Sequence, residues 1–211
     1  MEKSISPTTT TTYEYEERAF LDDKSFARIK QYLDNHSTQS TLDNKQSFFF
    51  VLPDVNVSIA ASEKETKVKY KGGQLGRGNG FEEIEFIIQH DSLQDAIKLF
   101  SSFLSIKPQE SYQFRINYTL DNSIEVALKY SEMWGFHMEV ERIYVAKNEP
   151  RKAFEESQSK SILKSFADSL DFKYINDEQM KKFKKQCERG ENRGTYSTIS
   201  FKQKYGNLFG L

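Results

Sequence analysis

Tyr13-Glu14-Tyr15-Glu16-Glu17-Arg18 is the stretch whose reading decides the fold. On a β-strand, successive side chains point to opposite faces. Glu14, Glu16 and Arg18 then share one face, and Tyr13, Tyr15 and Glu17 the other. Carboxylates two residues apart on a strand have Cα atoms about 6.6 Å apart. Their repulsion is about 2–3 kcal/mol at an effective dielectric of about 20. Bulk water, a cation or basic side chains must offset it.

The chain has 211 residues, enough for one sizeable domain with a real core. Its formal net charge of −1 gives no global basic footprint for nucleic acid. Charged residues make up 29% of the chain, so the charges must be arranged locally. The 17 Phe and 11 Tyr favour strands and a packed core. Cys187 is the single cysteine, which excludes an internal disulfide framework and a Cys-rich zinc site. His36, His90 and His137 show no ligand spacing. Met-Glu-Lys-Ser-Ile-Ser at the start lacks an apolar core, and no apolar run approaches a membrane span. A soluble, cytoplasmic protein without a membrane partner is expected, as a monomer or homodimer.

Residues 1–12, with Pro7 and Thr8 to Thr12, read as a low-complexity N-terminal arm. A strand follows over 13–21, then a helix over 23–35 behind an Asp22-Asp23 cap. Residues 36–46 read as a polar loop. Period-two alternation predicts strands from Ser47 to Leu52, ended by Pro53-Asp54, and at Val55–Ala60, Lys67–Lys71, Glu83–Ile88, Tyr112–Thr119, Ile124–Tyr130 and Trp134–Glu141. Gly72 to Gly80 is a turn carrying Arg77, and Asp121-Asn122 a hairpin signal. Asp91-Ser92 caps a helix over 92–104. Two further helices are predicted, over 151–170 and from Asn176-Asp177 to about 187. Residues 188–211 read as an extension with a short strand over 195–201 and a loose end.

A half-exposed antiparallel sheet accounts for charged strand faces without any function. Here, however, the signs are segregated. Acidic pairs fall at Glu14/Glu16, Glu83/Glu85 and Glu139/Glu141, while Lys67/Lys69/Lys71, Arg115 and Lys129 lie on other strands. Helices with apolar faces suffice to cover the sheet's apolar side, so a curled sheet turns its charges inward. Carboxylates on one wall suit hard divalent cations such as Mg²⁺ or Mn²⁺. A basic wall opposite suits a polyphosphate.

The order of these motifs resembles the triphosphate tunnel metalloenzymes, or CYTH proteins, which include class IV adenylate cyclases, thiamine triphosphatases and inorganic triphosphatases. Their Glu-x-Glu-x-Lys strand is matched by Glu14-Tyr15-Glu16-Glu17-Arg18, with Arg in the lysine place. Their lysine strand is matched by Lys67-Val68-Lys69-Tyr70-Lys71-Gly72, and the next Glu-x-Glu by Glu83-Ile84-Glu85. Phe114 to Tyr118 and Val126 to Lys129 match the basic hairpin, and Gly135 to Glu141 the closing strand. The resemblance covers roughly residues 13–187.

It implies an α+β fold, an eight-stranded antiparallel β-tunnel closed as a barrel with helices packed outside. It implies a small-molecule triphosphate substrate, or an RNA 5′-triphosphate end, and Mg²⁺ or Mn²⁺. By position, Glu14, Glu16, Glu139 and Glu141 are the implied catalytic residues. The implied metal set is those four with Glu83 and Glu85. Arg18, Lys67, Lys69, Lys71, Arg115 and Lys129 are the implied phosphate-binding residues. The family's arginines on its third strand have no counterpart in Asn56-Val57-Ser58-Ile59-Ala60-Ala61, whose inward positions are Asn56, Ser58 and Ala60. Losing such a clamp costs about 1–3 kcal/mol of phosphate binding; a different substrate, Arg77 of the glycine turn, or weak or absent activity would each answer to this, and Arg77 reads equally as a tolerated loop charge. Triphosphate hydrolysis, nucleotide cyclisation, capture of a nucleotide or polyphosphate without turnover, and a solvent-facing sheet that serves interaction all remain open at this stage. His137 reads as a polar strand residue with acid–base or metal duty as its alternative. Lys181, Lys182, Lys184 and Lys185 read as a solvated helix face, with RNA contact as theirs.

Overall fold

A computed structural model of the protein describes residues 11–52, 55–72 and 83–211. The arm up to residue 10, the Pro53-Asp54 strand end and the glycine turn with Arg77 lie outside the described residues. The elements run β1 (Thr11–Phe20), α1 (Asp23–His36), β2 (Gln39–Leu42), β3 (Lys45–Val51), β4 (Val55–Ser62), β5 (Thr66–Gly72), β6 (Glu83–Ile88), α2 (Leu93–Leu104), β7 (Gln109–Leu120), β8 (Ile124–Ser131), β9 (Gly135–Ala146), α3 (Glu149–Ser169), α4 (Asp177–Glu188) and α5 (Thr198–Tyr205).

The strands form one sheet in the order β1-β9-β8-β7-β3-β4-β5-β6, with β2 beside β7. Every pair is antiparallel. The α+β class is as the motifs implied. The closed barrel is not: among the described residues no ladder joins β1 to β6, and the curled sheet is a half-barrel.

Helix ends follow their cap chemistry. Asp22 accepts a hydrogen bond from the Ser25 amide at 2.7 Å, and Asn176 and Gln179 form a reciprocal capping box at the start of α4. Asn148 caps α3, so Pro150 falls in its first turn, where its missing N–H costs no ladder bond.

Three expectations are corrected. The loop over 36–46 holds β2 and the first residues of β3. Four polar-rich residues, Gln39–Leu42, suffice for β2 because β7 supplies a ready partner over Ile116–Thr119. Residues 195–201 are not a strand: Ser197 caps α5, and Glu132 Oε1 accepts the Thr198 amide at 2.6 Å, which satisfies a helix start rather than a ladder. Trp134 lies in the turn before β9 rather than in the strand.

The apolar faces bury against helices. Phe26, Ile29 and Leu33 of α1 and Leu163 and Phe166 of α3 meet Tyr15, Ala19, Phe114, Leu128, Tyr130 and Met138 of the sheet. A second cluster joins Phe48, Phe50, Val57, Ile59 and Val68 to α2. Phe48 and Phe50 are therefore core residues. The end of the chain is not loose. Phe201 and Phe209 are fully buried, and the Phe201 ring stacks on Tyr130 with centroids 3.9 Å apart. No described helix is long and apolar enough to cross a membrane.

Phe201→Ala is expected to cost about 3–5 kcal/mol of stability through the cavity it leaves. Urea denaturation measures this; a loss under about 1 kcal/mol would show that α5 is no part of the core.

Candidate functional site

Directly opposed residues of an antiparallel pair share a face. Between β1 and β9, Glu16 opposes Glu141, Arg18 opposes Glu139 and Phe20 opposes His137. On β8, Lys129 opposes His137 and Ala127 opposes Glu139. On β7, Arg115 opposes Lys129 and Asn117 opposes Ala127. Farther round, Lys45 opposes Gln113 on β7 and Ser62 on β4. Ser58 opposes Lys69, and Ala60 opposes Lys67. Lys69 in turn opposes Glu85. One face of the sheet thus carries the residues singled out from the sequence, while Tyr15, Ala19, Leu128, Met138 and Val140 occupy the other and build the core. The side chains of Lys71 and Glu83 lie outside the described residues.

This charged face is concave: α1, α2 and α3 pack on the opposite, apolar face of the half-barrel. Charges act across neighbouring strands on it: Glu139 on β9 senses Arg115 on β7, Lys129 on β8 senses Glu16 on β1, and Lys45 on β3 senses Lys69 on β5. One end is closed by α4. Its Phe183 packs on Trp134 and Phe20, and Trp134 lies against the His137 ring with centroids 5.0 Å apart. Cys187 packs with this cluster, in keeping with a structural role. Lys181, Lys182 and Lys185 are exposed, as a solvated helix face should be.

The carboxylates divide into groups. Glu14, Glu16 and Glu141 each bring one oxygen into a cluster spanning at most 4.8 Å. Burial pushes the Glu141 carboxyl up, and the charges of Glu139 and Glu16 add to this against a hydrogen bond with Glu14. Three carboxylate oxygens so close together form a donor set of the kind that holds a hard cation. Glu139 is placed differently. Its Oε1 accepts from Arg18 Nε at 3.1 Å and its Oε2 pairs with Lys129 Nζ. Burial would raise the Glu139 carboxyl, but Lys129, Arg18 and Arg115 outweigh it and hold it well below the usual carboxylate range. Arg18 also contacts Glu16. Burial and the charge of Arg115 pull the Lys129 ammonium down from its ordinary value. Glu85 lies on β6, away from both groups, and pairs with Lys67 at 3.1 Å and Lys69 at 2.8 Å.

Two site residues were missed in the sequence, Asp43 and Lys45, because they fall in the segment read as loop. Lys45 Nζ donates to Asp43 Oδ2 at 3.0 Å, and Arg115 Nε lies 3.8 Å from the same oxygen. The signal was present: from Lys45 onward Lys, Ser and Phe alternate with Gln46, Phe48 and Phe50. Arg115 Nε also donates to Asn117. His137 is 2% exposed and bonds the Gly135 carbonyl through Nδ1 at 2.9 Å. Burial, then the Lys129 charge, pushes its pKa down to about 3, so it is neutral at ordinary pH and suits no proton transfer there.

The fold is CYTH-like. No protein-family model and no curated protein matches the chain. Solved structures do. PH1012 from Pyrococcus horikoshii is 21% identical with a TM-score of 0.57, over 76% of this chain and 91% of that one. HpAC1 from Hippeastrum, a putative adenylyl cyclase with a dominant triphosphatase activity, is 12% identical with a TM-score of 0.52, over 92% and 96%. A chain of the Schizosaccharomyces pombe Mediator head module is 8% identical with a TM-score of 0.57, over 75% and 96%. At such identities the likeness establishes the fold alone.

Because His137 titrates lower in the folded chain than in the unfolded one, the unfolded state binds the extra proton between pH of about 6.5 and 3. Stability contributed by the neutral ring is present above that window and is lost as the pH falls through it, by up to about 1.4 kcal/mol per unit. His137→Gln is expected to flatten this dependence when urea midpoints are compared at neutral and mildly acid pH. Identical acid sensitivity in both proteins would remove His137 as its source.

Proposed function

We propose that the protein is a divalent-metal-dependent hydrolase of a triphosphate-containing substrate: inorganic, thiamine or nucleoside triphosphate. The observation that carries this reading is the meeting, on one concave face, of the Glu14/Glu16/Glu141 cluster with cations from several other strands. Glu14, Glu16 and Glu141 would hold Mg²⁺ or Mn²⁺. When bound, the ion supplies charge neutralisation for phosphoryl transfer to water. Arg18, Lys129 and Arg115 would hold phosphate oxygens, Arg18 and Arg115 by their fork geometry and Lys129 as a point charge. Glu139 acts through them: it fixes Arg18 and Lys129 toward the same space and offsets their burial. Lys67 and Lys69 would extend the basic wall toward the other edge of the sheet.

One observation favours a second reading, capture of a nucleotide or polyphosphate without turnover. The face of β4 offers Ser58 and Ala60 and no cation there. Nucleotide cyclisation needs the same walls and differs in the nucleophile presented.

Incubation with tripolyphosphate, thiamine triphosphate, nucleoside triphosphates and a 5′-triphosphorylated RNA is expected to give phosphate release from at least one, only with Mg²⁺ or Mn²⁺. Pyrophosphate with a cyclic nucleotide would instead indicate the cyclase. Thermal stabilisation without turnover would indicate capture, and neither response would end the triphosphate reading. Glu14→Gln and Glu141→Gln are each expected to lower turnover at least about 100-fold without lowering the melting temperature. Full activity in both would sink the carboxylate assignment.

A further inference from the structure

The missing cation of β4 has a neighbour that can stand in for it. Lys45 opens β3, the strand paired with β4, and lies opposite Ser62 in the register that places Ala60 and Ser58 on the charged face. It has a direct route to this face because the chain breaks its ladder just before it. β2 and β3 both pair with β7, and Asp43 and Asn44 form the step between them. Asn44 holds the step in place: its Oδ1 accepts the Arg115 amide at 3.1 Å, and its Nδ2 donates to the Phe209 carbonyl at 3.0 Å. The step projects Asp43 between Lys45 and Arg115, within 3.0 Å of one and 3.8 Å of the other. The side chains of Lys45 and Arg115 are only 16% and 20% exposed, and Ala60, the diagonal neighbour of Lys45 on β4, is small. Asp43 offers a single carboxylate to both cations, and Lys45 also feels the charge of Lys69. Among the described residues, Asp43 is the carboxylate within ion-pair distance of both cations.

We propose that Lys45 and Arg115 together grip a phosphate of the substrate where β4 supplies no cation, with Asp43 holding both in place until that phosphate takes over. The inference rests on the triphosphate reading above and adds to it a residue and a strand. Lys45 binds as a point charge, whereas Arg115 offers a fork, and Asp43 is a positioning residue that competes with the anion for both.

The test compares the wild-type chain with Lys45→Met, Lys45→Arg, Asp43→Asn and the double variant Lys45→Met/Ala60→Arg. Tripolyphosphate binding is followed by calorimetry with Mg²⁺ present, and folding by circular dichroism. Lys45→Met keeps the apolar stem and removes the charge; it is expected to weaken binding about 10- to 100-fold, the range for a lost charge-assisted hydrogen bond. Lys45→Arg recovers affinity to within about fivefold. Asp43→Asn tightens binding, because the competing carboxylate is gone. The double variant regains affinity over Lys45→Met, because Ala60 faces the same space. If Lys45 merely neutralises Asp43, Lys45→Met and Asp43→Asn shift binding in the same direction, and the proposal fails. It also fails if folded Lys45→Met binds as wild type does. If wild type binds no polyphosphate at all, the triphosphate reading itself is wrong and this inference falls with it.

Discussion

Glu139, held between Arg18 and Lys129, is the constraint on which the rest of the structure turns. Lys129 is only 3% exposed and the side chains of Arg18 and Glu139 14% and 18%. Charges so far from water are tolerated only when paired, and removing one partner leaves the others uncompensated. The pairing requires one register. Arg18 must oppose Glu139 on β9, and Lys129 must stand beside it on β8. A slip of one residue would send every charge into the core and every core residue into the concave face. Tyr15, Ala19, Leu128, Met138 and Val140 hold that register from the other side. The same alternation therefore specifies the core and the site.

Around this neutralised centre the charge is uneven. The Glu14/Glu16/Glu141 cluster gathers carboxylates at one place on the face. Lys45 and Arg115 gather cations around Asp43, with Arg115 also acting on Glu139. A rigid sheet cannot bring these groups together to cancel. A ligand carrying both signs, such as a cation on a polyphosphate, is complementary to both groups at once. With α4 packed on Phe20 and Trp134, that ligand meets a face closed at one end.

Most of this was legible in the sequence where period two was unbroken. β1, β7, β8 and β9 alternate cleanly, and their charged positions fell on one face as read. Asp22 and Asn176 announced their helices by chemistry that acts within four residues. What was not legible depends on long-range partners. β2 has too few residues and too little apolar character to declare itself, and exists because β7 offers an edge. Residues 195–201 have strand-like composition, but Ser197 and Glu132 satisfy a helix start instead. The different fates of Glu139 and Glu141 are equally invisible locally. They are set by which β1 residue stands opposite, Arg18 for one and Glu16 for the other.

Fold alone decides little about chemistry here, since the same architecture serves a cyclase-like triphosphatase and a chain of the Mediator head module. The side chains must decide, and they weigh against simple anion capture. A site built only to hold a polyphosphate gains nothing from three carboxylates within 4.8 Å of one another on the facing wall. They repel the anion, and burial first, then the charges of Glu139 and Glu16, raises the Glu141 carboxyl. Arg18 offsets part of this charge through Glu16, and a bound cation would offset more. Strained charge of this kind is retained where function uses it. On the hydrolase reading proposed above, the cluster is the part of the face that a cation would complete, even though β4 lacks a basic residue at Ser58 and Ala60.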